Sequence, residues 1–149
     1  EMLAAATERA PLLGRPAELL GSFREWIEAP AIRRLLSRDA FPSGTGVGRE
    51  QPFLVREKDV LVEGRVDRVL RMNEVDGPNG PTLLIVDWKT DALDPGDTES
   101  VDRRAAAYEP QIQAYRRALS AAERVPLSRV TGCIAFLTAG LMRQFADTP

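Results

Sequence analysis

Four consecutive apolar residues, Leu83-Leu84-Ile85-Val86, follow the turn-rich run Asp76-Gly77-Pro78-Asn79-Gly80-Pro81, and no other feature restricts the fold of this chain as tightly. A strand with one wet face alternates apolar and polar side chains, whereas an unbroken apolar run of this length reads as a strand covered on both faces. A sheet built around such a strand needs helices to flank it. The helical period appears upstream, where Leu19, Leu20, Phe23, Trp26, Ile27, Ile32, Leu35 and Leu36 recur at three- and four-residue steps. Pro30 divides the stretch, because proline begins or ends helices but rarely sits inside one. Two short helices over about 16–29 and 31–38 are expected, with a further short one over 2–10.

The period changes to two at Gln51–Arg56 and Val60–Leu70, which predicts antiparallel strands joined by a charged turn at Glu57–Asp59. Between helices and strands, Pro42–Gly48 reads as a flexible connector. Its spaced glycines invite a nucleotide-binding reading, but the segment ends in Gly48-Arg49-Glu50 rather than Gly-Lys-Ser/Thr and precedes a strand, not a helix. Residues Asp91–Asp102 form an acidic loop, and Tyr108, Ile112, Tyr115 and Leu119 mark a helix with Pro110 in its first turn or kinking it. Val130–Thr138 reads as another buried strand and Leu141–Phe145 as a last one. The order of helices, three strands, helix and strand predicts a mixed-sheet α/β domain.

Composition narrows the chemistry. The 149 residues suit one domain, and 44% apolar with 28% charged residues is a globular balance. The absence of histidine removes imidazole as base or ligand, and the lone Cys133 excludes a disulfide framework, an iron–sulfur cluster and a cysteine-ligated zinc within this chain. With no long apolar run and no basic-then-apolar leader, a cytoplasmic location off the membrane is expected. A net charge of −2 argues against a nucleic-acid-coating protein, but not against a site whose carboxylates hold metal.

Such carboxylates stand at the end of the most apolar strand. Asp87 and Lys89 are two apart, so they project from one face at the margin of a buried sheet, where isolated charge is costly. If Asp67 of the preceding strand is a cross-strand neighbour of Asp87, the two can share a divalent cation. The bland alternative is a strand-end salt bridge, with Asp67 on a solvated face. Of 20 basic residues only Lys58 and Lys89 are lysine, so a compact ammonium at this position suggests selection for a point charge. On the following helix Gln111 and Tyr115 share a face at i and i+4, to bind phosphate or water or to serve as an ordinary solvated residue and a core residue.

In order along the chain, Glu50-Gln51-Pro52-Phe53, Glu63-Gly64-Arg65-Val66-Asp67-Arg68-Val69, Ile85-Val86-Asp87-Trp88-Lys89-Thr90-Asp91 and Tyr108-Glu109-Pro110-Gln111-Ile112-Gln113-Ala114-Tyr115 resemble the RecB/AddA-type nuclease domain of UvrD-like helicase–nucleases, in the PD-(D/E)XK superfamily. The likeness covers about residues 16–140. It implies a restriction-endonuclease-like α/β fold with a mixed sheet, and residues 1–149 as one nuclease domain, a C-terminal fragment of a longer helicase–nuclease. It implies Asp67, Asp87 and the Trp88 carbonyl as ligands of Mg²⁺, with Mn²⁺ as a substitute. Lys89 would orient the attacking water or stabilise the phosphate charge, and Gln111 and Tyr115 would position the DNA backbone. The implied activity is a DNA exonuclease of double-strand-break repair and recombination, fed single-stranded ends by the helicase part of the same chain, with a second nuclease or helicase subunit as partner. Glu50 and Glu63 are lesser site candidates, and Arg65, Arg68, Arg71, Arg103, Arg104, Arg116 and Arg117 are candidates for the DNA path. The family's usual upstream histidine is missing, which reads as truncation or loss and predicts weakened metal binding in the isolated chain. The alternative is a degenerate domain of the same fold that binds DNA or scaffolds a subunit.

Overall fold

The computed structural model describes residues 16–57, 59–72 and 81–146. The turn run at 76–80, the helix expected over 2–10 and Lys58 lie outside them. Helix α1, Pro16–Glu28, and helix α2, Pro30–Leu36, break where Pro30 takes the first position of α2 and holds Ala29 extended, at φ −54° and ψ 129°. A single 3₁₀ turn, Arg38–Ala40, leads out of α2.

Five strands follow: β1 Gly46–Glu57, β2 Val60–Met72, β3 Thr82–Lys89, β4 Val130–Phe136 and β5 Leu141–Phe145. They make one sheet in the order β1-β2-β3-β4-β5, parallel between β3 and β4 and antiparallel elsewhere. Helix α3, Thr98–Glu123, makes the crossover that a parallel pair requires. This is the mixed sheet flanked by helices that the sequence predicts, a restriction-endonuclease-like α/β arrangement.

Two expectations are corrected in extent. The connector over Pro42–Gly48 ends early, because Gly46, Val47 and Gly48 pair with Arg71, Leu70 and Val69. Glycine's low strand propensity is overridden there by a partner strand already held in the core. The acidic loop also ends early: Asp97 caps α3 by accepting the Ser100 N–H at 2.9 Å, so the helix starts at Thr98. Pro110 then sits well inside the helix.

The apolar run of β3 is covered on both faces, as its pattern demands. Leu83 and Ile85 pack with Ala118 and Leu119 of α3, while Leu84 and Val86 pack with Ile32 and Leu35 of α2. Gly132 brings α3 close to β4, since a Cβ there would lie 2.1 Å from Ile112 Cγ2. Arg116, expected along a DNA path, is fully buried and donates to the carbonyls of Val130 and Leu127. It ties α3 to the start of β4 and faces no solvent. Arg71 likewise grips Glu123 through Nε and Nη2, at 2.6–3.0 Å, and fastens β2 to the end of α3.

Candidate active site at the fork between β2 and β3

The ladder between β2 and β3 ends at Arg68↔Val86. One step further along the same register, Asp67 stands across from Asp87, and the two strands part. The Trp88 N–H, past the last ladder pair, donates instead to Asp67 Oδ2 at 2.8 Å. Pairing between β1 and β2 is also irregular at this level: Glu50, opposite Asp67, has φ 48° and drops out between Arg49↔Arg68 and Gln51↔Val66. Val66 and Val69 are an odd number of residues apart yet join the same core cluster, so the strand turns its face at Asp67 and Arg68.

Asp87 is only 3% exposed. Lys89 Nζ lies 2.6 Å from its Oδ2, a short charge-assisted contact at the buried end of the strand. Burial pushes the Asp87 carboxyl above the usual carboxylate range; Lys89 opposes that rise, and Asp67 adds to it. For Lys89 burial acts to lower the pKa, but the Asp87 carboxylate outweighs it and holds the ammonium above the usual lysine range. The lysine is therefore fully charged at neutral pH.

Odd positions of β3 face α3, and there the helix residues meet the strand residues. Lys89 Nζ donates to Gln111 Oε1 at 3.2 Å, and Gln111 Nε2 donates to the Tyr115 hydroxyl at 2.6 Å. Tyr115 is thus half-buried at the site's edge, and Gln111 is not the solvated residue of the bland reading. The salt bridge of that reading does form, but within this larger constellation. Trp88 points the opposite way and packs with the α2 cluster, so only its backbone faces the fork. Asp67, Asp87, Lys89, Gln111 and Tyr115 are brought together; Glu63 and Glu50 are exposed on the hairpin, Glu50 3.8 Å from Arg65.

Three supports escape the sequence reading. The Tyr108 ring lies 4.3 Å under Lys89 Nζ, and its hydroxyl donates to Asp91 at 3.1 Å. Asp91 also pairs with Arg104 at 2.5 Å and accepts, through its carbonyl, a hydrogen bond from Thr138. Tyr108 is visible in sequence as one of an apolar stripe, but nothing local announces that Asp91 will hold its hydroxyl. On the other side Phe53 stacks edge-on against Tyr115, with centroids 5.5 Å apart, and its ring tip lies against Gly64, where a Cβ would meet it at 2.4 Å. The glycine of Glu63-Gly64-Arg65 therefore makes room for the aromatic that orients Tyr115.

Two facing carboxylates and a backbone carbonyl are oxygen donors of the kind a hard cation takes, and the fixed ammonium beside them suits a phosphate. Among the described residues no group of three or more His, Cys, Asp and Glu gathers for a metal, so their side chains offer the two carboxylates of Asp67 and Asp87. Mg²⁺ is commonly held by one or two carboxylates, with water and phosphate oxygens filling the remainder, and the set fits that pattern. No helix among the described residues is long and apolar enough to cross a membrane. The family model for the PD-(D/E)XK nuclease superfamily matches residues 1–147. No curated protein matches the chain.

Proposed function

Because the chain belongs to the PD-(D/E)XK nuclease superfamily, we propose that the fork between β2 and β3 is the active site of a metal-dependent deoxyribonuclease domain. Asp67, Asp87 and the Trp88 carbonyl would hold a divalent cation, Mg²⁺ with Mn²⁺ as a substitute. The observation that carries this is the buried Asp87 carboxylate, which faces the Asp67 carboxylate across the fork with the Lys89 ammonium beside it. Like charges on adjacent strands are costly, and a cation between them removes that cost.

When bound, the cation lowers the pKa of a water and neutralises charge on the phosphate. The chain's own groups do the rest. Lys89 keeps its proton, so it acts electrostatically, stabilising the negative charge that builds on the phosphate in the transition state. Gln111 and the Tyr108 ring hold its ammonium in place. Tyr115 accepts from Gln111 and so retains its own O–H to donate to a phosphate oxygen. None of these roles requires the histidine that the chain lacks.

The finer reading rests on the ordered motifs described above. In it, residues 1–149 are the RecB/AddA-type exonuclease domain at the C-terminal end of a UvrD-like helicase–nuclease of the cytoplasm. Its substrate is single-stranded DNA ends delivered by the helicase during double-strand-break repair and recombination, with a second nuclease or helicase subunit as partner.

Calorimetric titration of Mn²⁺ into the chain and into Asp87→Ala tests the site, and cleavage of end-labelled linear against circular single strands tests the activity. Binding that disappears in the variant, with only linear strands degraded, is the expected result. Absence of Mn²⁺ binding from both proteins, in a chain that still binds DNA, would favour the degenerate module.

A further inference from the structure

On the opposite face of the sheet, arginines gather without carboxylates. Arg49 and Arg68 are directly paired across β1 and β2, an arrangement that like charges disfavour. Both line a cavity of about 200 Å³ with Arg38, beside the apolar side chains of Phe41 and Leu70. Among the described residues no acidic one lines it. Elsewhere Arg65, Arg71, Arg103, Arg104 and Arg143 each face a carboxylate. Arg38, Arg49 and Arg68 pair with none among the described residues, and the buried Arg68 Nε has no hydrogen-bond partner. The Thr45 hydroxyl on the rim is turned to the Pro42 carbonyl, at 2.7 Å, so the available donors are the guanidiniums.

Unpaired, converging forks with one orphaned buried N–H are the donor set of an anion site, and planar forks match phosphate oxygens bidentately. The location narrows the anion. Arg68 immediately follows Asp67, and β2 separates from β3 at this level, so cavity and active site lie on either side of the same fork. Single-stranded DNA presents a run of phosphates at short intervals. We propose that Arg38, Arg49 and Arg68 hold a backbone phosphate of the same DNA strand whose scissile phosphate lies at Asp67 and Asp87. The sugar beside it would rest on Phe41 and Leu70. This assignment rests on the nuclease reading and names where the strand runs. Thr45, at the end of the glycine-spaced loop that is no P-loop, also lines the cavity, while the rest of that loop lines a neighbouring one with Arg38 and Asp39.

The test is fluorescence anisotropy of a labelled oligothymidylate, in EDTA to prevent hydrolysis, with the wild-type chain, Arg49→Gln and Arg49→Gln/Arg68→Gln. Affinity is expected to fall roughly tenfold in the double variant. The slope of log affinity against log salt should become shallower by about 0.7 for each phosphate that is no longer neutralised. Arg49 is exposed and sits in a like-charge pair, so Arg49→Gln is expected to melt no lower than wild type, which separates binding from folding. Equal affinity and slope in all three proteins, with Mn²⁺-dependent cleavage intact, would overturn the subsite and leave the nuclease reading standing. If inorganic phosphate raises the melting temperature through these arginines but the oligonucleotide does not bind, DNA is the wrong occupant and the proposal fails. A wild-type chain that neither binds nor cleaves DNA would remove the nuclease reading, and this one with it.

Discussion

Asp87 is the residue on which the site's energetics turn. Its carboxyl is raised above the unfolded value of about 3.9 because burial outweighs the attraction of Lys89. A raised folded pKa means that the folded state binds this proton more tightly than the unfolded chain does. The stability it contributes is therefore fully present below the unfolded pKa, and is lost as pH rises through the folded pKa. Lys89 stays charged across that range, since its own pKa is raised, and Gln111 is neutral. In metal-free buffer the stability of wild type relative to Asp87→Asn is thus expected to decline as pH rises from about 3 through the folded value, then level off. Urea unfolding at a series of pH values checks this. A wild type that gained on the variant over the same interval would mean that the Lys89 ion pair outweighs burial.

At the scale of elements, helix α3 decides whether Gln111 and Tyr115 reach Lys89. Gly132 sets how close the helix lies to β4, and Gly132→Ala would drive a methyl group into Ile112, next to Gln111. The expected cost is about 1–3 kcal/mol, typical of overpacking, together with loss of Mn²⁺-dependent cleavage as Gln111 leaves Lys89. Equilibrium unfolding reads the first and a cleavage assay the second. Pro110 acts in the opposite sense: exposed, and inside the helix, it withholds an N–H from the backbone ladder. Interior proline costs about 3 kcal/mol, offset by up to about 1 kcal/mol from its restriction of the unfolded chain. Pro110→Ala should therefore stabilise the protein by about 2 kcal/mol, and a destabilised variant would show that the helix is shaped around the proline. Strand parity placed Asp87 and Lys89 on one face, and the i, i+4 spacing placed Gln111 and Tyr115 together on the helix, both being local periodicities. That the helix pair belongs with the strand pair came from the resemblance and not from the spacing. Asp67 opposite Asp87 needed a register that no local pattern supplies, and Asp91 beneath Tyr108 needed the tertiary fold. Arg116 was legible in principle, since it falls between Ile112 and Leu119 on the buried stripe, but a guanidinium there reads as surface until its carbonyl acceptors are seen.

Across the whole molecule, β3 and β4 join the two layers, because each strand sends alternate side chains into the α2 and α3 cores. Neither layer can open far without exposing those strands, which makes global unfolding the expected route of access to their side chains. Cys133 supplies a probe. It lies on β4, has no exposed surface, and burial pushes its thiol up to about 12. At pH 8 the native chain therefore offers roughly one thiolate in ten thousand, and none within reach of a reagent. Labelling by a thiol reagent should proceed only from the opened state, so its rate should track the unfolding equilibrium when reclosing outpaces reaction. In increasing urea, the logarithm of the rate is expected to rise in parallel with the loss of folding free energy measured by circular dichroism. Adding Mn²⁺ should slow labelling, because a ligand that binds only the folded fork lowers the opened population. Prompt, stoichiometric labelling in native buffer would show that β4 opens without the rest of the sheet. A Mn²⁺-insensitive rate, at concentrations that saturate the calorimetric site, would show that Cys133 is reached by a local opening that leaves the fork intact.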